Sequence, residues 1–381
     1  MSSLVACLAE LVAINSVNAS LPNGPGEQEI ADYVAAAARA FGADVEMHDV
    51  DSGRPNVVAC LDRGRDRSLM FECHLDTVGL VPMADALNPR IQNGRLYGRG
   101  AADPKGSLAA MLSLFESAAD DPDFPVNLWL AGSVDEEITM RGATALAGLD
   151  LAVDAVIVGE PTKLQPITAH KGVLRWRVST TGVAAHSAMP ERGRNAIFDM
   201  QTVLSALRSG IDSGLGAKVH PRLGRVTWSV GTIRGGEAVN VVPNACQIEC
   251  DRRLLPDDDS VAILAAVDDI LDQVRQDDQG LCVTRETPFV EVPPMETRDD
   301  ELIVRAASVA LERAGYDPTP SGVPYATDAS MLASIAGLPA VVLGPGDISC
   351  AHTDDEWIDL EELVASVGVY RGICAVFSDL L

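Results

Sequence analysis

The chain has 381 residues, of which 47% are hydrophobic and 22% are charged, and this composition excludes a disordered or collagen-like protein. Its length predicts more than one domain. The 55 acidic residues outnumber the 29 lysines and arginines, so the formal net charge of −26 repels nucleic acids and anionic membrane surfaces. We therefore predict neither a nucleic-acid partner nor a membrane partner.

The amino-terminal segment, MSSLVACLAELVAINSVNAS, lacks the basic start of a secretion signal and is typical of an amphipathic helix. No apolar run approaches the roughly 20 residues that a membrane-spanning helix needs. The eight cysteines are scattered along the chain, and none forms a CxxC pair with another. These features favour a cytoplasmic protein with reduced cysteines.

Strand-like apolar runs alternate with helical patterns in the first half of the chain: RSLMFECHLD, KGSLAAMLSLFESAA, VNLWLAGSVDEE, GATALAGL and DAVIVGEP. This order predicts an α/β fold with a mixed, mostly parallel sheet and helices on both of its faces. In the second run, apolar residues recur at helical spacing and predict one helix face turned to the sheet: Leu108, Met111, Leu112 and Phe115.

From about residue 172 the pattern changes to strand, helix, strand, strand, helix and strand, which is the ferredoxin-like order. In NACQIECDRR, apolar and polar residues alternate, which predicts a strand with one buried and one solvated face. We therefore predict an inserted α+β domain at residues 172–289. The remaining segments, 1–171 and 290–381, form the first domain, and its sheet includes the apolar strand LPAVVLGPG.

Polar side chains follow four predicted strands of the first domain, at the edge where open α/β sheets bind their ligands. They are His74 and Asp76, then Asp135, Glu136 and Glu137, then Glu160, then His352, together with Asp103 in the loop YGRGAADPKGS. Histidines and carboxylates without a phosphate-binding or dinucleotide-binding pattern indicate a metal site. We predict two zinc ions, with cobalt or manganese as alternatives, because all three accept mixed nitrogen and oxygen ligands.

The charges of this set suit two divalent ions. Two Zn²⁺ ions carry four positive charges, which the carboxylates of Asp103, Glu137 and Glu160 and one bridging hydroxide would balance. Such a metal pair lowers the pKa of a shared water and polarises a carbonyl, which is the chemistry of amide hydrolysis. Glu136 lies beside a ligand and is predicted to move a proton from the water to the departing amine.

The neighbouring polar residues have supporting roles in this prediction. Asp76 is predicted to accept the second ring N–H of His74 and so to fix its tautomer, because residues two apart in a strand point to one side. Asp135 has no predicted role. A later group is predicted to lie at the surface or to support the site: Asp354, Asp355 and Glu356.

Eight segments together resemble the acetylornithine deacetylase and succinyl-diaminopimelate desuccinylase family of dinuclear zinc amidohydrolases and metallopeptidases. They are HLDTV, YGRGAADPKGSLAAML, SVDEE, VGEPT, AHKG, GVAAHSAMPERGRNAI, NVVPNACQIECDRR and GPGDISCAHTDDEWI. The resemblance implies a zinc-peptidase-like catalytic domain, an inserted lid and dimerisation domain, and a homodimer. LQPITAHKG and GPGDISCAHTDDEW are closer to the acetylornithine deacetylase branch, whereas YATDAS matches neither branch.

The resemblance also implies how the metal ligands are divided. Asp103 would bridge the two ions, and the other ligands would form two pairs: Glu137 with His352, and His74 with Glu160. Glu136 would be the general base and acid.

Four more residues enter through the resemblance. His186, in the partner's active site, would stabilise the oxyanion. Asn240 and Arg252 would bind the substrate carboxylate and the tetrahedral intermediate, and Lys171 would lie near the substrate. The peptide bond before Pro104 would be cis, and proline is the residue for which that isomer costs least.

The implied activity is hydrolysis of the amide bond of an N-acyl amino acid, with N-acetyl-L-ornithine as the leading substrate. Two other activities of the same family stay open, namely desuccinylation of succinyl-diaminopimelate and cleavage of a peptide bond by a dipeptidase or carboxypeptidase. A non-catalytic binding protein on this fold is disfavoured, because all five metal-ligand positions, Asp76 and Glu136 are present.

Overall fold

The computed structural model describes residues 3–211 and 218–380. Within them lie nine α-helices: α1 Ser3–Ala13, α2 Gln28–Ala40, α3 Lys105–Ala119, α4 Arg141–Ala147, α5 Ala196–Gly210, α6 Ser260–Asp277, α7 Leu302–Ala314, α8 Ala329–Ile335 and α9 Leu360–Asp379. Across the described ranges, no helix combines the length and the apolar character needed to cross a membrane.

The same residues form nineteen strands. The first ten are β1 Asp44–Asp51, β2 Arg54–Leu61, β3 Ser68–His74, β4 Arg90–Gln92, β5 Arg95–Tyr97, β6 Asn127–Ser133, β7 Ala155–Val158, β8 Ile167–His170, β9 Gly172–Thr181 and β10 Val219–His220. The others are β11 Gly224–Arg225, β12 Thr227–Gly235, β13 Ala245–Leu254, β14 Cys282–Arg285, β15 Val290–Val292, β16 Met295–Glu296, β17 Ser321–Val323, β18 Ala340–Val342 and β19 Trp357–Asp359.

The chain divides into two compact units. The first comprises Met1–Thr168, Met295–Gly322 and Thr327–Leu381, and the second comprises Ala169–Pro294 and Val323–Ala326. The boundaries predicted from the sequence lie after residues 171 and 289.

The first unit is built on a sheet in the order β1-β2-β6-β3-β7-β18-β8-β16. Its central strands β6, β3, β7 and β18 are parallel neighbours, while β1, β2 and β8 pair antiparallel toward the edges. Parallel neighbours need a crossover connection, and α3 and α4 lie in the connections from β3 to β6 and from β6 to β7. The predicted α/β class with a mostly parallel sheet is confirmed.

Helix α3 lies in the middle of the first unit's core. The predicted apolar face is buried, with Leu108 and Met111 fully shielded from solvent. Burial extends beyond that face to residues such as Lys105 and Ser107, because α1 and α9 also pack on this helix. Each fully buried Leu, Met or Phe contributes about 1.5–3 kcal/mol relative to an exposed one, so α3 firmly anchors the loop that precedes it.

The second unit contains an antiparallel sheet in the order β12-β13-β9-β14, with β15 also paired to β9. Helices α5 and α6 share a core with this sheet around Trp176, Met200 and Val267. The observed strand order and the alternating burial of β13 confirm the ferredoxin-like pattern. Asn195 and Asp259 cap the two helices by accepting main-chain N–H groups of the first turn.

Candidate active site

The carboxyl ends of the parallel strands carry the predicted polar side chains. Strand β3 ends at His74, β6 ends at Ser133 and is followed by residues 135–137, and β7 is followed by Glu160. The loop after β18 carries His352. Because parallel neighbours end at the same edge of a sheet, these side chains converge on one place.

Asp103 lies between the two histidines and gives one carboxylate oxygen to each. Its Oδ1 is 3.2 Å from His74 Nε2, and its Oδ2 is 3.2 Å from His352 Nε2. His74 Nε2 is also 3.8 Å from Glu160 Oε1, and His352 Nε2 is 3.1 Å from Glu137 Oε2. The five predicted ligands therefore form two groups that share Asp103, and within each group the ligand atoms lie within 4.8 Å of one another.

This arrangement fits divalent cations. The side chains of Asp103, Glu137 and Glu160 are at most 7% exposed, and carboxylates buried so close together are costly without positive charge nearby. Hydrogen bonds to Asp103 and Glu137 raise the pKa of His352 to about 10, so the surroundings of this ring stabilise positive charge. Imidazole and carboxylate together are a donor set that zinc, cobalt and manganese accept.

The structure adds a nearer main-chain acceptor to the predicted contact between Asp76 and His74. The Nδ1–H of His74 donates to the main-chain carbonyl of Asp76 at 3.0 Å, whereas the Asp76 carboxylate is 3.5 Å from that nitrogen. Because β3 ends at His74, Asp76 lies outside the strand alternation that the prediction assumed. A carbonyl oxygen can only accept, so the neutral ring carries its proton on Nδ1 and directs the lone pair of Nε2 toward Asp103.

The carboxylate of Asp76 instead holds the backbone of the two neighbouring glutamates. Its Oδ1 accepts the N–H of Glu136 at 3.0 Å, and its Oδ2 accepts the N–H of Glu137 at 3.2 Å. Both bonds are charge-assisted, and two such bonds to adjacent N–H groups fix the direction of the segment. Asp76 therefore positions the predicted general base and a predicted ligand through their main chain.

Glu136 is half-buried beside the candidate ligands. Burial raises the pKa of its carboxyl group well above the usual range, and the negative charges of Glu160 and Asp328 raise it further. Near neutral pH, a carboxyl group with a raised pKa is better able both to take up and to release a proton than an ordinary surface glutamate is. The role of Glu136 as general base and acid stays a prediction with which this direction of the pKa shift agrees.

Glu356 anchors the loop that carries Asp103, which agrees with the second of the two predicted alternatives, a surface position or a supporting role. Its Oε1 accepts the N–H groups of Ala102 and Asp103 at 3.0 Å, and its Oε2 accepts the N–H of Gly100 at 3.0 Å. The buried Arg99 also donates to Oε2, at 2.8 Å. One signal of its burial was that this glutamate directly precedes the partly apolar strand β19. In the structure, Asp354 and Asp355 before it are exposed.

We expect Glu356→Gln to lower the free energy of unfolding by about 3–5 kcal/mol, because the amide replaces an acceptor by a donor and leaves the buried Arg99 without its counter-charge. Urea unfolding of chelator-treated protein measures this loss. Asp355→Asn is the matched control, since Asp355 pairs with Arg90 where both side chains are at least 60% exposed, and its effect should stay within about 0.5 kcal/mol. Equal unfolding free energies for the two variants would contradict the anchoring role.

The structure brings two of the predicted second-unit residues together. His186 pairs with Val241 in an isolated bridge, and the N–H of Ser187 donates to the carbonyl of Asn240 at 3.0 Å. His186 Nδ1 accepts the N–H of Ala188 at 3.0 Å. The neutral ring therefore carries its proton on Nε2, which makes Nε2 a hydrogen-bond donor.

The other two predicted residues of this unit are buried. Arg252 lies in β13, with Nη2 3.8 Å from Asp258 Oδ2. Lys171 donates from Nζ to the main-chain carbonyl of Arg225, and burial lowers its pKa. The roles of His186, Asn240, Arg252 and Lys171 toward a substrate stay predictions. The Asp103–Pro104 peptide bond is cis, as the sequence analysis expected.

Comparison with protein families gives one assignment over most of the chain. The family model described as peptidase family M20/M25/M40 matches residues 70–375. An acetylornithine deacetylase from Myxococcus xanthus is 33% identical and covers 99% of this chain and 98% of its own length. An acetylornithine deacetylase from Vibrio cholerae serotype O1 is 31% identical over 90% of each protein.

Solved structures share the fold. The aminopeptidase PepT from Bacillus cereus superposes with a TM-score of 0.80 at 23% identity, covering 98% of each chain. The M20 family metallo-carboxypeptidase Sso-CP2 from Sulfolobus solfataricus superposes with a TM-score of 0.81 at 20% identity, covering 100% of each chain. These likenesses extend over both units.

Proposed function

Because the chain belongs to peptidase family M20/M25/M40 and is a metal-dependent hydrolase, we propose that it removes the acyl group from an N-acyl amino acid, with N-acetyl-L-ornithine as its substrate. The observation that carries this proposal is the pair of ligand groups sharing Asp103, with Glu136 beside them. The near full-length likeness to acetylornithine deacetylases favours the acetyl group and the ornithine side chain.

We propose zinc as the metal, one ion held by His74, Asp103 and Glu160 and one by Asp103, Glu137 and His352. When bound, the two ions supply Lewis-acid polarisation of the substrate carbonyl and a water of lowered pKa.

Glu136 takes a proton from the attacking water and returns it to the departing amine. Its raised pKa suits both steps, because the proton is held strongly enough to be taken up and weakly enough to be passed on. Asp76 keeps the carboxyl group in place by holding the N–H of the same residue.

Residues implied by the family resemblance supply the substrate contacts in this proposal. Arg252 presents a planar guanidinium, which binds a carboxylate through two parallel hydrogen bonds, and Asn240 and Lys171 add polar contacts. The partner's His186 donates from Nε2 to the oxyanion, so the active enzyme is a homodimer. The eight free cysteines agree with a cytoplasmic setting.

A substrate panel tests the proposal. With zinc-loaded protein, we expect kcat/KM for N-acetyl-L-ornithine to exceed that for N-succinyl-diaminopimelate and for a set of dipeptides by at least about tenfold. Amine release is measured by chromatography, and Glu136→Gln prepared in parallel controls for contaminating hydrolases. A higher kcat/KM for the succinyl compound or a dipeptide assigns one of those activities instead. Metal-loaded protein that hydrolyses none of them supports the binding-protein alternative.

A further inference from the structure

A buried hydrogen-bond network lies behind the Glu136–Glu137 segment, and Asn18 is at its centre. Asn18 is fully buried, and its Nδ2 donates to Asp76 Oδ2 at 2.7 Å and to Asp135 Oδ1 at 3.0 Å. An amide nitrogen has two protons, so one asparagine satisfies both carboxylates at once. Its Oδ1 accepts the N–H of Ser20 at 2.9 Å, which directs the nitrogen toward the carboxylates.

Asp135 shapes the turn between β6 and Glu136. Its φ of 71° lies in the left-handed region, where few residues other than glycine are found. Its main-chain carbonyl accepts the N–H groups of Thr139 and Met140, and its buried carboxylate accepts from Asn18 and Arg141. These bonds close the turn, so the position of the Asp135 carboxylate determines where the Glu136–Glu137 segment starts.

Arg54 supplies the positive charge that this network requires. Its side chain is 6% exposed and pairs with Glu27, whose two oxygens lie 2.8 Å from Nε and 2.5 Å from Nη2. Nη2 also donates to Asp135 Oδ1 at 2.9 Å. An ion pair that is joined by two hydrogen bonds and shielded from water holds its geometry. Arg54 therefore also fixes Asp135 Oδ1, the oxygen that accepts from Asn18.

Within residues 3–211 and 218–380, Asn18 makes no hydrogen bond to a candidate ligand atom, so it acts through the carboxylates that it joins. Asp76 Oδ2 accepts one further hydrogen bond, from the N–H of Glu137. Without Asn18, Asp135 Oδ1 would keep its bond from Arg54 and Asp76 Oδ2 would keep its bond from the N–H of Glu137, but no donor shared by the two buried carboxylates would join them. The expected response is a shift of Asp76, and with it of the two N–H groups that Asp76 holds.

We propose that Asn18 is a positioning residue that fixes Glu136 and Glu137 by joining the carboxylates of Asp76 and Asp135. Its effect on turnover rests on the proposed function, whereas its effect on metal affinity follows from the geometry alone. Outer hydrogen-bond partners of metal sites typically change metal affinity or activity 10–100-fold when they are removed.

Asn18→Leu tests the proposal with two readouts. We expect kcat to fall about 10–100-fold with KM changed less than about threefold, because the substrate contacts are untouched. We also expect weaker Co²⁺ binding by a similar factor, measured by titrating metal-free protein and recording the visible absorption of the bound ion. Asn15→Leu is the matched control: Asn15 is half-buried three residues before Asn18, and its side chain accepts the N–H of Val17 at 3.2 Å.

The outcomes distinguish a positioning role of Asn18 from a contribution to stability alone. If Asn18→Leu melts at a lower temperature but its kcat and Co²⁺ affinity match those of Asn15→Leu, the proposal is wrong. If it does not fold, Asn18→Ser decides by the same criteria, and failure of both variants to fold also overturns the proposal. If the unsubstituted protein hydrolyses no amide, the proposed function fails, while the Co²⁺ titration still tests Asn18.

Discussion

Glu136→Gln is expected to lower kcat for N-acetyl-L-ornithine by about 10²–10⁴-fold, the usual contribution of general acid–base catalysis. The amide keeps the size of the side chain but neither takes up nor releases a proton. Metal content should stay unchanged, because Glu136 belongs to neither of the two ligand groups. The main-chain bond from Glu136 to Asp76 does not involve the altered side chain and should also persist.

Glu137→Gln is the matched control for this experiment, since it makes the same chemical change one residue along the chain. Its carboxylate lies 3.1 Å from His352 Nε2 and belongs to the second ligand group, so this variant should lose metal as well as activity. Metal content by mass spectrometry and kcat are measured on the same samples. A metal-replete Glu136→Gln enzyme with kcat within about tenfold of the original would assign the proton transfer to another group.

The convergence of the predicted ligands was predictable because most of them come at places that sequence patterns mark. His74 is the last residue of one apolar strand, Glu160 comes two residues after another, and the Glu136–Glu137 pair comes after a third. Parallel strands end at one edge of a sheet, so a correct strand assignment implied convergence before any distance was known. Asp103 required the Gly-rich loop and the family resemblance, because it does not follow a strand.

The supporting residues were less accessible to the same reasoning. Asn18 and Arg54 lie in segments with no motif, and Glu356 lies in the segment GPGDISCAHTDDEWI, which does not indicate its partners. The partners of these three residues are 58, 81 and 253 positions away. Sequence periodicity reports which face of an element is buried, but it does not report which distant side chain meets it. A charged residue such as Arg54 at the start of the buried strand β2 is the kind of signal that could have indicated a buried ion pair.

The contacts of Asp76 show where local geometry limits such predictions. The expected contact assumed that the strand alternation continues from His74 to Asp76, and the strand ends two residues too early for that. The carboxylate then turns to main-chain N–H groups that only the folded turn after β6 brings near. Asp76 lies beside the predicted ligands, but these main-chain partners depended on tertiary structure.

Asp103 joins the two ligand groups, and this makes it the most sensitive single position of the centre. One oxygen faces His74 and the other faces His352, each at 3.2 Å. In Asp103→Asn only one of these positions keeps an oxygen, and the other presents an NH₂ group that cannot bind a cation. The substitution also removes one of the negative charges that balance two divalent ions.

We therefore expect Asp103→Asn to retain at most about one metal equivalent and to lose at least about 10³-fold in kcat, which corresponds to several kcal/mol of transition-state stabilisation. Zinc content after dialysis and kcat are the measurements. Asp354→Asn is the matched control, because Asp354 is an exposed acidic residue two positions after His352 and belongs to neither ligand group, so both quantities should stay unchanged. Retention of about two zinc equivalents by Asp103→Asn would contradict a centre in which this carboxylate is shared.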